Sequence, residues 1–88
     1  MKNNVALSSL AMDLYRVAVG YHRGSDRMAG RFLEEAMKRK REIDVATIKP
    51  YLREIFSKLD AIAPLRSSQY AEEFLTYSIL LRNAAVKS

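Results

Sequence analysis

Lys38-Arg39-Lys40-Arg41 is the densest run of one charge in the chain. Consecutive cations suit phosphate contact along a nucleic acid, where each lysine or arginine displaces a counterion. On an ideal helix, however, four successive residues point in four directions, so the run is not one docking surface. Arg27, Arg31 and Lys38 do share an outer helical face, with Glu34 among them. The ordinary alternative is a solvated helix end whose positive charge complements the helix dipole. It ranks first, because no aromatic residues interleave with the basic ones as they do in single-strand binders. The turn His22-Arg23-Gly24-Ser25-Asp26-Arg27 is a second candidate. A histidine, two arginines, a glycine and the free amides of a helix start can hold a phosphate or carboxylate. The glycine spacing is not that of a P-loop, and Asp26 already supplies negative charge there. A capped turn with exposed arginines is its ordinary reading. The candidate anion or nucleic-acid set is therefore His22, Arg23, Arg27, Arg31, Lys38, Arg39 and Arg41.

Arg16 and His22 are separated by Val17, Ala18, Val19, Gly20 and Tyr21. This segment resembles the Arg-x(4–6)-His motif of HEPN-domain ribonucleases, which are helical and often dimeric. The resemblance implies that Arg16 and His22 act on an RNA backbone. A later echo, Arg82-Asn83 followed by Lys87, is similar to the family's Arg-Asn-x-x-x-His form with lysine in the histidine's place. The ordinary reading of His22 is a C-terminal helix cap, and the nuclease stands third among the functional readings. Other catalytic constellations are missing. Glu34–Glu35 and Glu72–Glu73 are adjacent pairs that diverge on a helix and cannot share a proton or a metal. No Glu-x-x-His occurs, so a carboxylate-bridged di-iron site is not built. Ser8, Ser9, Ser67 and Ser68 fall near expected helix starts and read as caps rather than nucleophiles.

The chain has 88 residues, no cysteine and one histidine. That excludes disulfides, thiol catalysis, cysteine-ligated zinc and a multi-histidine metal site within one chain. No catalytic residue, metal or cofactor is expected. The formal net charge of +5 comes entirely from Arg16–Arg41, where eight cations face three carboxylates; the remainder cancels. Such a field attracts polyanions or acidic partners. No run approaches the ~18 apolar residues of a spanning helix, and no secretory-signal pattern occurs; a cytoplasmic protein is expected, without membrane contact.

Positioning these residues falls to four helical segments; no alternating run reads as a strand. The expected helices cover about 5–21, 26–42, 48–63 and 69–86 of a single domain, 1–88. The first carries the stripe Leu7, Leu10, Leu14, Val17, Tyr21, with Ala11 and Ala18 beside it and Asn4 as N-cap. The second carries Ala29, Phe32, Leu33, Ala36 and Ile43, with i,i+4 pairs Glu34–Lys38 and Glu35–Arg39 on its outside. Gly24 suits the positive φ that closes the first helix, and Ser25 or Asp26 caps the second. The third carries Ile48, Leu52, Ile55, Leu59 and Ile62, with Pro50 in its first turn, Thr47 near its cap and Pro64 at its end. The fourth carries Tyr70, Phe74, Tyr77, Leu81 and Ala84, capped by Ser67 or Ser68.

Short linkers favour antiparallel neighbours, giving an all-α, up-down-up-down four-helix bundle. The first helix pair resembles a tetratricopeptide hairpin at Gly24, Ala29 and Ala36, but Tyr21 is one residue out of register and the second pair does not repeat it. Helices one and four offer more apolar surface than one neighbour uses: Met12, Tyr15 and Val19 on the first, Leu75, Ile79 and Leu80 on the fourth. The expected function is a small non-enzymatic interaction module that forms a homodimer or docks a protein partner. Its expected contacts are Tyr15, Tyr70, Leu75, Tyr77 and Ile79, tyrosine suiting a half-wet interface. Nucleic-acid binding by the 16–41 segment is the alternative.

Overall fold

The computed structural model describes residues 2–87. Four helices follow one another: α1 (Lys2–His22), α2 (Asp26–Glu42), α3 (Pro50–Ile62) and α4 (Ala71–Lys87). Short 3-10 turns at Val45–Thr47, Ala63–Leu65 and Ser68–Tyr70 lie in the links, and no strand occurs among the described residues. Cross-helix pairs establish the direction of each element. Between α1 and α2, Gly20 lies against Ala29, Arg16 over the Phe32 ring and Asp13 against Arg39. The number falls on one helix as it rises on the other, so the pair is antiparallel. Lys40–Asp60 beside Lys40–Phe56 ties α2 to α3. Tyr21–Phe74 and His22–Glu72 at one end, with Val5 beside Ala85 and Val86 at the other, make α4 antiparallel to α1. The result is the expected all-α bundle, 35 Å along its longest axis.

The expected stripe of α1 is buried throughout; on α3 Leu52, Ile55 and Leu59 are buried as expected, whereas Ile62 is only partly buried and Phe56 joins the core. Leu10, Leu14, Val17 and Leu59 are fully enclosed, as are Phe74 and Leu81 of α4. Each such side chain contributes about 1.5–3 kcal/mol. On α4, however, the buried face is Ala71, Phe74, Ser78, Leu81, Ala84 and Ala85, rotated from the expected one. Tyr70 and Tyr77 are only half-buried, packed against the core's edge. Ala71, Ser78 and Ala85, seven residues apart, share the buried face of α4, as Ala11 and Ala18, also seven apart, do on α1, and Ala11 and Ser78 line one groove between the two helices. Small side chains let backbones approach, and α1 is packed most closely on α4 and α2. Ser78 is buried without cost to its hydroxyl, which donates to the Leu75 carbonyl at 2.6 Å. The α3 backbone stands further off, and Leu52, Ile55, Phe56 and Leu59 fill the gap.

Helix ends follow the turn residues, with shifts at three boundaries. Gly24, at φ 75°, ends α1. Its amide donates to the Tyr21 carbonyl at 3.1 Å and the Ser25 amide donates to Gly20 at 2.8 Å, the paired bonds of a Schellman turn. α1 begins at Lys2, so Asn4 lies inside the helix and is not its cap. Ser25 occupies the N-cap position of α2, but no side-chain bond caps the helix there. α3 starts at Pro50, later than expected, because Asp44 organises a separate 3-10 turn by accepting from the Ala46 amide at 3.0 Å. Ile48 is buried from the connector rather than from the helix. Ser67 caps as expected, accepting from the Gln69 amide at 3.3 Å, but it caps the 3-10 turn that leads into α4. Pro64 follows the end of α3, and Arg66, in the left-handed region at φ 46°, redirects the chain. The expected Glu34–Lys38 and Glu35–Arg39 pairs give way to ion pairs between elements: Glu34 binds Arg66 at 2.8 Å and Arg39 binds Asp13 at 2.9 Å.

Two glycines separate close packing from loose. A Cβ on Gly20 would lie 2.9–3.0 Å from the backbone and Cβ of Ala29. Gly20→Ala is expected to cost about 1–3 kcal/mol in a denaturant titration, since backbone must move. At Gly30 the nearest atom is the Arg66 guanidinium tip, at 3.1 Å. Gly30→Ala is expected to stay within about 1 kcal/mol of the parent, on the stabilising side, through helix propensity. Tyr21 sets an alkaline limit. Burial holds its phenol above the ordinary value, the Asp26 charge adds to this, and Arg66 opposes it. The folded chain therefore keeps this proton where the unfolded chain has lost it. The associated stability is complete below about pH 10 and is lost as pH rises through the folded value. Tyr21→Phe should flatten this loss in denaturation midpoints measured across that range.

Candidate functional site

Placing small residues where α1 meets α4 leaves larger apolar ones on either side of the seam. A groove of about 460 Å³ runs there. Its α1 wall is Ala11, Met12, Tyr15 and Arg16; its α4 wall is Leu75, Ser78, Ile79 and Arg82. Met12, Tyr15 and Ile79 are each about half exposed although apolar. A second, shallower depression of about 340 Å³ lies further along the same helix pair, between Val5, Ser8 and Ser9 on α1 and Ala85 and Val86 on α4. The face therefore continues from the middle of the bundle towards the end where α1 begins. Of the five expected contacts, Tyr15, Leu75 and Ile79 line one groove; Tyr70 and Tyr77 do not. Met12, expected as surplus apolar surface but not among the five contacts, is a wall of the groove, and no signal in the sequence marked Arg16 and Arg82 as the two cations of its lining.

The anion candidates are not gathered in one place. His22 ends α1, with Nε2 3.4 Å from Glu72 Oε2. Arg23, Lys38 and Arg41 are exposed. Arg27 and Arg31 line a depression with Gly30 and Arg66, but Asp26 and Glu34 line it too. Arg39 is committed to the fold: its Nε donates to Asp13 Oδ2 at 2.9 Å. Asp13 is 6 % exposed and also meets Arg16 at 3.8 Å. Lys38 and Arg41 keep the picture of a solvated helix end, but Lys40 departs from it. Its side chain is 10 % exposed, its Nζ lies 2.9 Å from Asp60 and 5.4 Å from the centre of the Phe56 ring. Two of the four run residues thus hold α2 to α1 and α3.

Arg16 and His22 do not converge. Six residues along a helix separate them by about 9 Å and about 120°. Arg16 sits 5.4 Å from the Phe32 ring centre, on α2, whereas His22 meets Glu72, on α4. Among the described residues, no three His, Cys, Asp or Glu side chains are grouped to hold a metal ion. Nor is any helix among them long and apolar enough to cross a membrane. No protein-family model, no curated protein and no solved structure matches the chain.

Which partner of an ion pair is buried decides what its loss costs. Arg39→Met leaves the buried Asp13 carboxylate with only Arg16 at 3.8 Å. A loss of about 1–3 kcal/mol is expected in chemical denaturation. Lys40→Met leaves Asp60, whose side chain is 59 % exposed and returns to water. It puts a thioether against Phe56 instead, and stability is expected to change by less than about 1 kcal/mol.

Proposed function

We propose that this chain is a small non-enzymatic interaction module that docks a helical segment in the α1–α4 groove. The carrying observation is that Met12, Tyr15 and Ile79 stay exposed on two walls of one slot while equally apolar neighbours, such as Leu14 and Leu81, are fully enclosed. Helix in groove is a common recognition mode, read as apolar anchors at i, i+3 or i+4 and i+7. The mixture of Met, Tyr and Ile suits it, since Met adapts its shape and Tyr keeps a polar tip. The basic residues of α2 add long-range attraction for an acidic partner rather than a contact surface.

The test compares parent, Met12→Asp and Ile79→Asp chains. All three are expected to keep the same helical circular-dichroism signal, because both positions are half-exposed. Light scattering with size exclusion, and capture of fluorescent helical peptides, then read docking; each carboxylate should weaken it by about 10-fold or more. Loss of helicity in both variants would mean that the positions are ordinary core. Binding of a short mixed-sequence RNA at low salt, reversed by moderate salt and unaffected by either variant, would move the functional surface to Arg27, Arg31, Lys38 and Arg41.

A further inference from the structure

The groove's charge identifies its occupant. Its lining holds two guanidiniums and no carboxylate. Continuing the antiparallel register of Tyr21–Phe74 and His22–Glu72 places Arg16 level with Ser78 and Arg82 level with Met12. The two cations therefore stand on opposite walls, about one helical turn (about 6 Å) apart along the slot. Arg82 has no ion-pair partner among the described residues, and the Arg16 side chain is 45 % exposed beyond its contacts with Asp13 and Phe32. Asp13 itself is shared with Arg39. The nearest carboxylates on α4, Glu72 and Glu73, lie on the turn before Leu75 and outside the groove, and Glu72 meets His22. We infer that the groove takes an acidic amphipathic helix of a partner protein, with apolar residues between Met12, Tyr15, Leu75 and Ile79 and one carboxylate on each flank, a turn apart, for Arg16 and Arg82.

A second copy of the chain fits less well. In either two-fold arrangement of face on face, four guanidiniums and no lining carboxylate meet, between chains that each carry +5. Like charges brought together across an interface are costly. Concave slots also face one another in that arrangement, where a single helix would fill one. An anionic bilayer needs a protruding apolar face, and this one is recessed between two helices.

The inference rests on the docking function, and the experiment separates the two. Two fluorescein-labelled synthetic helices of about five turns carry leucines at i, i+3 and i+7 on an alanine background. They differ only in glutamates or lysines flanking the leucines. Anisotropy titrations with the full chain are expected to show the acidic peptide binding at least about 10-fold tighter. Arg82→Glu, at an exposed position, should reduce or invert that preference, and Ile79→Asp should weaken both peptides. Equal binding of the two peptides, with Ile79 still required, would overturn the charge inference and leave docking in place. A dimer in light scattering abolished by Ile79→Asp, or Ile79-dependent sedimentation with phosphatidylserine vesicles, would overturn it in favour of another occupant. A monomer that binds neither peptide would overturn both.

Discussion

Small side chains recur on the buried faces of α1 and α4, and the Tyr21–Phe74 stack closes one end of that pairing. Ala11 and Ala18 on one helix and Ala71, Ser78 and Ala85 on the other recur every seven residues, the repeat that keeps one line of a helix against its neighbour. Gly20 does the same for α2, where Ala29 occupies the space that a side chain would need. α1 is therefore held tightly on two sides. Other bulky residues lie where the backbones stand apart: on α3, where Phe56, Leu52 and Leu59 fill the volume, or at the rims of the α1–α4 seam, where Met12, Tyr15, Leu75 and Ile79 stand. The core and the groove are two results of the same close approach.

The polar framework is arranged around α2. Arg39 reaches Asp13 on α1, Lys40 reaches Asp60 on α3, and Glu34 is reached by Arg66 from the turn after α3. Each bond joins different elements, so they specify register more than local helicity. Lys40 is the most exacting of them, because its stem crosses the Phe56 ring before its ammonium finds Asp60. Two residues of the basic run are thereby engaged in ion pairs within the fold, Lys40 buried and Arg39 part-exposed, while the long-range field of the chain is unchanged.

Helix count, helix order and residues that mark each of the three links were legible in the sequence because apolar spacing and the turn residues agree. Gly24, Pro50, Pro64 and Ser67 all act at the turns they mark. The buried charges were legible in part. Lys40 fills the gap between Ala36 and Ile43 in the α2 stripe, and Asp13 sits three residues after Leu10 and four before Val17. Both positions face inward by periodicity alone. Reading charge as outward hid them, since the compensating cation or carboxylate lies on another helix. The face of α4 was misread for the converse reason. Large aromatic residues at Tyr70 and Tyr77 outweighed the small ones at Ala71, Ser78 and Ala85, although close packing selects for smallness. The groove was half visible: surplus apolar surface on α1 and α4 is a property of each helix, but which residues share a slot depends on their mutual register.

The walls of the groove are the first and last helices of the bundle, with everything from Arg23 to Tyr70 between them. The α1–α2 turn closes locally, whereas bringing α4 to α1 closes the longest loop in the fold and carries the greatest entropic cost. The slot does not exist before α4 docks or once α4 has come away. A ligand held there would act as a clasp: it would recognise only the closed bundle and, by mass action, stabilise the helix pairing that closes the longest loop.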